Sequence, residues 1–128
     1  MTWIKLPIKP FSAPRQTRKD SWDPRPVVLD YRSWKDALRL HINKLGGPEA
    51  VERDGVIGVR FRIGMTEGWS KKKKALHDGK QHQNKPDLDN LIKAYKDALF
   101  KEDSHIHRYD PYPEKTWTTE PCIEVWID

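Results

Sequence analysis

Apolar residues in this sequence alternate between two spacings, and the alternation limits the folds that the chain can adopt. Segments in which every second residue is apolar predict β-strands, and segments with apolar residues at steps of three and four predict amphipathic helices. Because both kinds follow one another within 128 residues, we expect one domain over residues 1–128, of the α/β (α+β) class, with a small mixed β-sheet and about two packed helices. The predicted strands cover 3–9, 56–65 and 115–127, with a further short strand after 101–107, and the predicted helices cover 30–45 and 88–100.

Local signals suggest where these elements begin and end. Pro7 restricts the first strand to a sheet edge or to a short length, because proline has no backbone N–H to donate. Asp30 is a candidate cap for the first helix, and Gly46, Gly47 and Pro48 form a firm stop after it. His41 lies on or near the apolar stripe of that helix, so we expect it to be packed and not to bind a ligand.

Basic residues are concentrated in two segments that are predicted to be loops, 10–26 and 67–85. The whole chain has a formal net charge of +5 and a pI of about 9.3, which suits a polyanionic partner. Residues 67–85 hold six lysines against two acids, whereas residues 86–128 hold ten acids against five basic residues. Charged loops are commonly only solvated. Basic loops beside an acidic region nevertheless favour a protein that holds DNA and also binds a metal ion.

Cysteine content and hydropathy bear on the compartment. The single cysteine, Cys122, cannot form an internal disulfide and fits a reducing environment. The sequence has no apolar run of membrane-spanning length, and its beginning lacks a signal-peptide pattern. We therefore expect a cytoplasmic protein that does not associate with a membrane.

The segment 85–93, which reads KPDLDNLIK, carries the most specific chemistry in the chain. It places Asp87 and Asp89 two residues apart at the predicted start of a helix, with Lys93 one turn later. Hydrolysis of a phosphodiester needs a bound cation that neutralises phosphate charge and acidifies a water molecule, and Mg²⁺ prefers carboxylate oxygens. Asp87, Asp89 and Asp103 are suitable ligands, with Glu102 as a further or substitute ligand.

Other interpretations of these residues remain open on the sequence alone. Aspartates at a helix start are commonly caps, and Lys93 could simply pair with Asp89 or Asp97. A pair of aspartates separated by one residue also occurs in sugar transferases, although this chain has no glycine-rich nucleotide loop, and no organic cofactor is expected. His77 and His82 match no metal-ligand spacing.

The order of motifs resembles that of the RusA family of Holliday-junction resolvases. The resemblance is carried by KPDLDNLIKA at 85–94, DAL at 97–99 and DSHI at 103–106, which are similar to the family's K-P-D-x-D-N-L-x-K-A, D-A-L and D-D-S-Q-[IV] blocks. The WSKKKK stretch at 69–74, Gly79, His82, and Lys115 with Trp117 are similar to a phage-type subset of that family. The match is good over about 56–127. Over 1–45 the chain shares only the general order of a strand, a basic proline-rich loop and a helix.

This resemblance implies a small α/β fold, a homodimer, and Mg²⁺-dependent paired nicking of four-way DNA junctions, with Mn²⁺ as an alternative metal. By the resemblance, the metal-binding and catalytic aspartates are Asp87, Asp89 and Asp103, and Lys93 is the important lysine. The basic loops would contact branched DNA in recombination and repair. The residues expected at the DNA are Arg15, Arg18, Lys19, Lys71, Lys72, Lys73, Lys74, His82 and Lys85. The alternatives are a broader structure-selective nuclease and a catalytically silent DNA-binding protein.

Two departures from the family pattern bear on the site. The paired aspartates of the family read Glu102 and Asp103 here, and His105 stands where glutamine is usual. The connection to Asp103 is also short. A helix from Asp89 to Leu99 spans about 15 Å, and the four residues after it reach about 14 Å at most. Asp103 can therefore barely return to Asp87 and Asp89 of its own chain. Either the helix is shorter than predicted, or the site takes Asp103 from the partner subunit, and we hypothesise that the dimer interface lies close to the active site.

Overall fold

Two long helices pack against one face of a four-stranded sheet in the computed structural model of the protein, which describes residues 2–127. Met1 and Asp128, the two ends of the predicted domain, lie outside the described residues. The helices are α1 (Pro26–Lys44), α2 (Lys71–His77) and α3 (Leu88–Leu99). The strands are β1 (Thr2–Leu6), β2 (Glu52–Arg53), β3 (Val56–Ile57), β4 (Val59–Gly64), β5 (Arg108–Tyr109), β6 (Lys115–Thr118) and β7 (Cys122–Ile127). Among these residues, no helix is both long and apolar enough to cross a membrane.

The strands form two sheets, and both sheets are mixed. In the larger sheet the order is β1-β7-β4-β6, with β4 and β6 parallel and the other pairs antiparallel. In the smaller sheet the order is β2-β3-β5, with β3 and β5 parallel. Mixed sheets with helices packed on one side confirm the predicted α+β class, although one sheet was expected and there are two.

The core lies between the larger sheet and the helices α1 and α3. Phe61 of β4 and Ile123 and Val125 of β7 are buried against the helices, and Ile63 and Ile127, further along the same faces, are partly buried against this core, so the predicted alternation is confirmed. Tyr31 of α1 and Tyr95 of α3 are fully buried on the opposite side of this core. Each such large apolar side chain contributes about 1.5–3 kcal/mol through burial. These contacts fix α3, and therefore the side chains at its ends, relative to the sheet.

The other face of the larger sheet is polar and is organised by Glu124. Arg60 and Arg62 of β4 both pair with Glu124 of β7, and the Arg60 guanidinium also lies 4.2 Å from the ring centroid of Trp3. Burial disfavours the charged form of Glu124, but the two arginines more than offset this and hold its pKa below the usual range. Arg60 and Arg62 therefore form part of a half-buried ion cluster and are not a simple solvent face.

Several predicted boundaries are wrong for identifiable reasons. α1 begins at Pro26, before Asp30, because proline at the first helical position has a suitable φ and needs no partner for a backbone N–H. The predicted strand over 56–65 is broken at Gly58, where a Cβ atom would lie 2.6 Å from the Cβ of Trp126. The last predicted strand is interrupted between β6 and β7, next to Pro121.

The basic segment 67–85 is not entirely a loop, because it contains α2. Ser70 is the N-cap of this helix, and its hydroxyl accepts a hydrogen bond of 3.1 Å from the backbone N–H of Lys73. None of the residues of α2 is buried, so it does not add to the core. The count of about two packed helices therefore holds for α1 and α3, and α2 is an additional surface helix.

Candidate active site and nucleic-acid interface

Asp87 and Asp89 lie at the start of α3 with their side chains exposed. Asp87 is the N-cap residue and has extended backbone angles (φ −70°, ψ 143°), but its carboxylate caps no backbone N–H of the helix. Asp89 accepts one hydrogen bond of 3.0 Å, from the backbone N–H of the adjacent Asn90. Within the described chain, the Asp87 carboxylate therefore caps no N–H, and the Asp89 carboxylate accepts a single hydrogen bond. They fit the hard oxygen ligands that a Mg²⁺-type ion takes.

Lys93 lies one turn after Asp89 on the same face of α3, and it is exposed. Within residues 2–127, neither Asp89 nor Asp97 forms a salt bridge with it. Asp97 instead accepts a hydrogen bond of 2.9 Å from the hydroxyl of Tyr31. Burial and this contact together raise the pKa of Tyr31 above its usual value. The charge of Lys93 is therefore available beside the two aspartates, whereas Asp97 links α3 to α1.

Lys115 holds the chain segment that leads into Asp87. Its ammonium group donates hydrogen bonds to the backbone carbonyls of Asn84 and Pro86, the latter at 2.6 Å. Lys115 begins β6 and is half-buried. Because Pro86 immediately precedes Asp87, Lys115 ties the first carboxylate of the site to the larger sheet. This contact spans 29 residues to Pro86, and no pattern in the sequence indicates it.

The segment after α2 runs along the outer side of β6. The backbone N–H of Gly79 donates to the carbonyl of Trp117 at 2.9 Å, and that of Trp117 donates to Lys80 at 2.9 Å. Further along, the N–H of His82 donates to the carbonyl of Lys115 at 3.1 Å. These bonds attach α2 and the approach to α3 to the same sheet edge. The segment that links the four lysines of α2 to the aspartates of α3 is therefore fixed to the larger sheet.

Lysines 71–74 form the first turn of α2, with Lys71, Lys72 and Lys73 exposed and Lys74 half-buried, and an aromatic cluster packs against this helix. Lys73 places its ammonium group 4.3 Å from the ring centroid of Trp69, and Trp69 packs on Trp117 at 4.9 Å between centroids. His82, which the sequence placed among the DNA contacts, is only 4% exposed and packs 4.2 Å from Trp117. Burial first, and then the charge of Lys115, lower its pKa. We therefore correct its role to packing within this cluster.

The N-terminal basic loop reaches the start of α3 from the other side. The backbone N–H of Ala13 lies 3.4 Å from the carbonyl of Asn90. Arg15 and Arg18 are exposed, while Lys19 is exposed and pairs with Asp23 at 3.5 Å. Lys85, just before the aspartates, is also exposed. Basic side chains therefore border Asp87 and Asp89 along two separate chain segments.

Asp103 lies beyond the opposite end of α3. Its carboxylate is 3.6 Å from the ammonium group of Lys96, which is seven residues, or about 10 Å along the helix axis, from Asp89. Burial disfavours the charged form of Lys96, but Tyr109 and Asp103 more than offset this and raise its pKa. Within residues 2–127, no three His, Cys, Asp or Glu side chains are grouped so that they could hold a metal ion. One chain in this conformation therefore does not bring Asp103 together with Asp87 and Asp89.

Glu102 and His105, the two departures from the family pattern, belong to the same end of α3. Glu102 accepts a hydrogen bond of 3.0 Å from the backbone N–H of Ser104, which lowers its pKa. His105 lies with its Nε2 atom 3.2 Å from a carboxylate oxygen of Glu52. Both side chains thus have local partners in the turn that carries Asp103.

A protein-family model matches this chain. The family model described as Endodeoxyribonuclease RusA matches residues 7–128, which is nearly the whole chain and includes every residue discussed above from Ala13 onward. Among curated proteins, none is significantly similar to this chain. The family match confirms the resemblance seen in the motifs and extends it through the first helix, where the sequence resemblance was only one of style.

Proposed function

Because the chain belongs to the RusA family of endodeoxyribonucleases, we propose that it resolves Holliday junctions by paired symmetric nicks that depend on Mg²⁺. The protein is an endodeoxyribonuclease of a family of junction resolvases, and branched DNA is the substrate class that the family implies. The finer parts of the proposal are the metal, the symmetry of the cuts, the dimer and the residues that act. On this proposal the enzyme works in the cytoplasm of a bacterial or phage-infected cell.

The observation that carries the proposal is the state of the two aspartates at the start of α3. Asp87 is in the N-cap position, where an aspartate with a structural role would accept a hydrogen bond from a free N–H of the first turn, and yet its carboxylate caps no such group. Asp89 accepts from one first-turn N–H, that of Asn90, through its Oδ1 atom, and among the described residues no other hydrogen bond or salt bridge engages its carboxylate. We therefore assign Asp87 and Asp89 as ligands for Mg²⁺, with Mn²⁺ as an alternative.

The bound metal would supply charge neutralisation at the scissile phosphate and a more acidic water molecule. The chain's own residues position the other participants. Lys93, exposed one turn after Asp89, can balance negative charge that develops on the phosphate oxygens or orient the attacking water. Lys115 keeps the segment before Asp87 at a fixed distance from the sheet.

The position of Asp103 supports a dimeric site. Asp103 pairs with Lys96 in its own chain and is not grouped there with Asp87 and Asp89 among the described residues. We propose that Asp103 enters the site of the partner subunit. A four-way junction has two-fold symmetry, so a C2 dimer would place two such composite sites on two strands related by the same axis.

The DNA is proposed to lie across the two basic segments that border the site. Neutralising phosphates releases counterions, so each lysine or arginine that contacts the backbone adds affinity and salt dependence. His82 is left out of this surface because it is buried. The residues assigned to it are Arg15, Arg18, Lys19, Lys71, Lys72, Lys73, Lys74 and Lys85.

The direct test is a nicking assay on a synthetic four-way junction, with and without Mg²⁺, and with a linear duplex of the same sequence as the control substrate. Wild type should make symmetric nicks only with Mg²⁺. Asp89→Asn should abolish the nicks while junction binding is kept or strengthened, because a negative charge near the phosphates is removed. Asp30→Asn makes the same change on the exposed surface of α1 and should be without effect. Asymmetric or metal-independent cutting would contradict the proposal, and unfolding of Asp89→Asn would favour the capping role.

A mixing experiment tests whether Asp103 acts across the dimer. Asp87→Asn and Asp103→Asn subunits are each expected to be inactive. If Asp103 acts in the partner's site, a mixed dimer contains one site with both changes and one site with neither, so single nicks should return on mixing. If Asp103 acts within its own chain, both sites of the mixed dimer carry a change, and activity should stay absent.

A further inference from the structure

Residues 15–25 form a folded turn around the buried carboxylate of Asp20. Asp20 is 2% exposed and accepts hydrogen bonds from the backbone N–H of Thr17 at 2.7 Å, the Thr17 hydroxyl at 3.1 Å, and the backbone and guanidinium of Arg25 at 3.1–3.2 Å. The Arg25 guanidinium also donates to the carbonyl of Arg15 at 2.6 Å, which joins the two ends of the turn. The hydrogen bond from Arg25, followed by that from Thr17, holds the pKa of Asp20 well below its usual range. The turn is therefore a pre-organised structure and not an extended, mobile connector.

This turn displays Trp22 to solvent. Trp22 is 67% exposed, whereas the other five tryptophans of the chain are buried or half-buried. Its backbone N–H donates to the carbonyl of Lys19 at 3.1 Å, so the main chain at Trp22 is fixed while its indole is not packed. Burying a tryptophan is strongly favourable, so an exposed indole contributes little to folding. The internal hydrogen bonds of the turn fix its main chain in a conformation that leaves the Trp22 side chain exposed.

The surroundings of Trp22 favour a nucleic-acid ligand over an apolar protein partner. Arg18 and Lys19 precede it by four and three residues in the same turn, with Lys19 paired to Asp23 at 3.5 Å, and Arg15 lies at the base of the turn. Single-stranded and branched nucleic acids are bound by this combination, in which cations contact the phosphates and an aromatic ring stacks on a base. The base of the turn is also close to the active site, because Arg15 is two residues from Ala13, which contacts Asn90 of α3.

We propose that Trp22 stacks on a base pair exposed at the branch point of the DNA and thereby distinguishes a junction from a linear duplex. The inference rests on the proposed function and adds a specificity residue to it. Within a linear duplex each base is covered on both faces by its neighbours, so an indole can stack only by forcing bases apart. At a branch point the stacking is interrupted, and a base face is available at lower cost. Phosphate contacts are the same for both substrates and cannot make this distinction alone.

The test compares variants of Trp22 on two substrates. The probes are a four-way junction with 2-aminopurine at the branch point and a linear duplex with the same arm sequence, at one fixed salt concentration and without Mg²⁺. Trp22→Ala should weaken junction binding about tenfold, the loss of one stacked base, and leave duplex binding nearly unchanged. Trp22→Phe should keep most of the preference, and Trp22→Leu, which keeps apolar bulk without an aromatic face, should behave as the alanine variant.

Tyr112 provides the matched control. It is 77% exposed and lies outside both basic segments, so Tyr112→Ala removes an exposed aromatic ring without touching the turn. This variant should bind both substrates as wild type does. The 2-aminopurine emission should change on binding of wild type and Trp22→Phe, and not on binding of Trp22→Ala.

Two outcomes would overturn the inference while leaving the proposed function intact. If wild type cuts and prefers the junction, and Trp22→Ala keeps the same preference, Trp22 does not recognise the branch point. If Trp22→Ala loses the same factor on both substrates, its contribution is general affinity and not stacking at the branch. Failure of wild type to cut or to prefer the junction would instead count against the proposed function.

Discussion

Replacing Lys115 with methionine should separate catalysis from DNA binding. Methionine keeps most of the volume and the unbranched shape of the lysine side chain but removes the ammonium group. The change therefore removes the hydrogen bonds to the carbonyls of Asn84 and Pro86. The segment before Asp87 loses its tie to β6, while the core between the sheet and the helices is untouched.

The size of the effect follows from these two contacts. A hydrogen bond from a charged donor contributes about 1.5–3 kcal/mol. Lys115 is half-buried, so water replaces part of what is lost, and we expect a net cost of about 2 kcal/mol. In a domain of this size that corresponds to a fall in Tm of about 8 °C. The catalytic effect should be larger, because a displacement of about 1 Å in a reacting group can cost about 100-fold in rate.

The assay measures single-turnover nicking of the junction over a range of Mg²⁺ concentrations, at a temperature well below the Tm of every variant. We expect Lys115→Met to lower the maximal rate about 10- to 100-fold and to raise the Mg²⁺ concentration needed, with metal-free junction binding within about twofold of wild type. Lys115→Arg keeps a donor of sufficient length and should recover much of the rate. Lys80→Met removes the same charge from an exposed position in the adjoining segment and should leave the rate unchanged.

Three results would refute this reasoning. A Lys115→Met enzyme that nicks at the rate of wild type would show that the tie to Pro86 does not position Asp87. Equal losses in Lys115→Met and Lys80→Met would point to surface charge alone. A loss of metal-free junction binding that matches the loss of rate would make Lys115 a DNA contact.

Three further predictions concern the basic segments and the core. Replacing lysines 71–74 with glutamine should weaken junction binding and reduce the steepness of its salt dependence by about one unit for each lysine that contacts a phosphate, measured by titration at several salt concentrations. Asp20→Asn should lower the Tm at neutral pH. Because the folded state depresses the pKa of Asp20, its contribution is present above the usual carboxyl pKa of about 4 and is lost as the pH falls below it, so the Tm values of variant and wild type should converge in acid. Tyr31→Phe removes the hydrogen bond to Asp97 and should cost about 1 kcal/mol in urea unfolding.

The long elements could be predicted from the sequence because each buries enough residues to show a period. The predicted helix over 88–100 agrees with α3 to within one residue at its end, and Leu91, Ile92 and Tyr95 are buried as expected. The small residues Ala94 and Ala98 are also buried, because α1 approaches closely there, with the Arg39 guanidinium 2.7 Å from the carbonyl of Ala98. Spacing alone does not reveal such close approach.

The short elements could not be predicted from periodicity, but they have local signals. The hairpin of β2 and β3 turns at Asp54 and Gly55, which have φ angles of 50° and 80°. Asp-Gly is a preferred pair in two-residue hairpin turns, although here only the strand that follows it is apolar. α2 likewise follows Ser70, a favourable N-cap. Each element is too short to show a period, so turn and cap chemistry is the only guide.

The parts of the site that depend on tertiary contacts could not be predicted from the sequence. Asp87, Asp89 and Lys93 are neighbours on one helix, so their spacing places them together. The role of Lys115 depends on β6 lying beside a segment about 30 residues away, and nothing in either segment indicates this pairing. The short connection after α3 predicts that Asp103 can barely reach Asp89 of its own chain, because the number of residues limits how far the chain extends, and its role in the partner's site stays a prediction.

The start of α3 is where local rules and structure disagree, and this disagreement is itself informative. Local propensity predicts that Asp87, at an N-cap position, accepts a hydrogen bond from the first turn, and an alternative cap residue such as serine would do so equally well. The structure leaves that bond unmade while Lys115 restrains the preceding backbone, so the chain holds Asp87 in place by other means and keeps its carboxylate free. Natural sequences depart from local rules mainly where function requires it. Asp87 makes no capping hydrogen bond, and it lies beside a second exposed aspartate and a lysine that has no carboxylate partner among residues 2–127. This arrangement is better explained by the binding of a ligand than by helix stability.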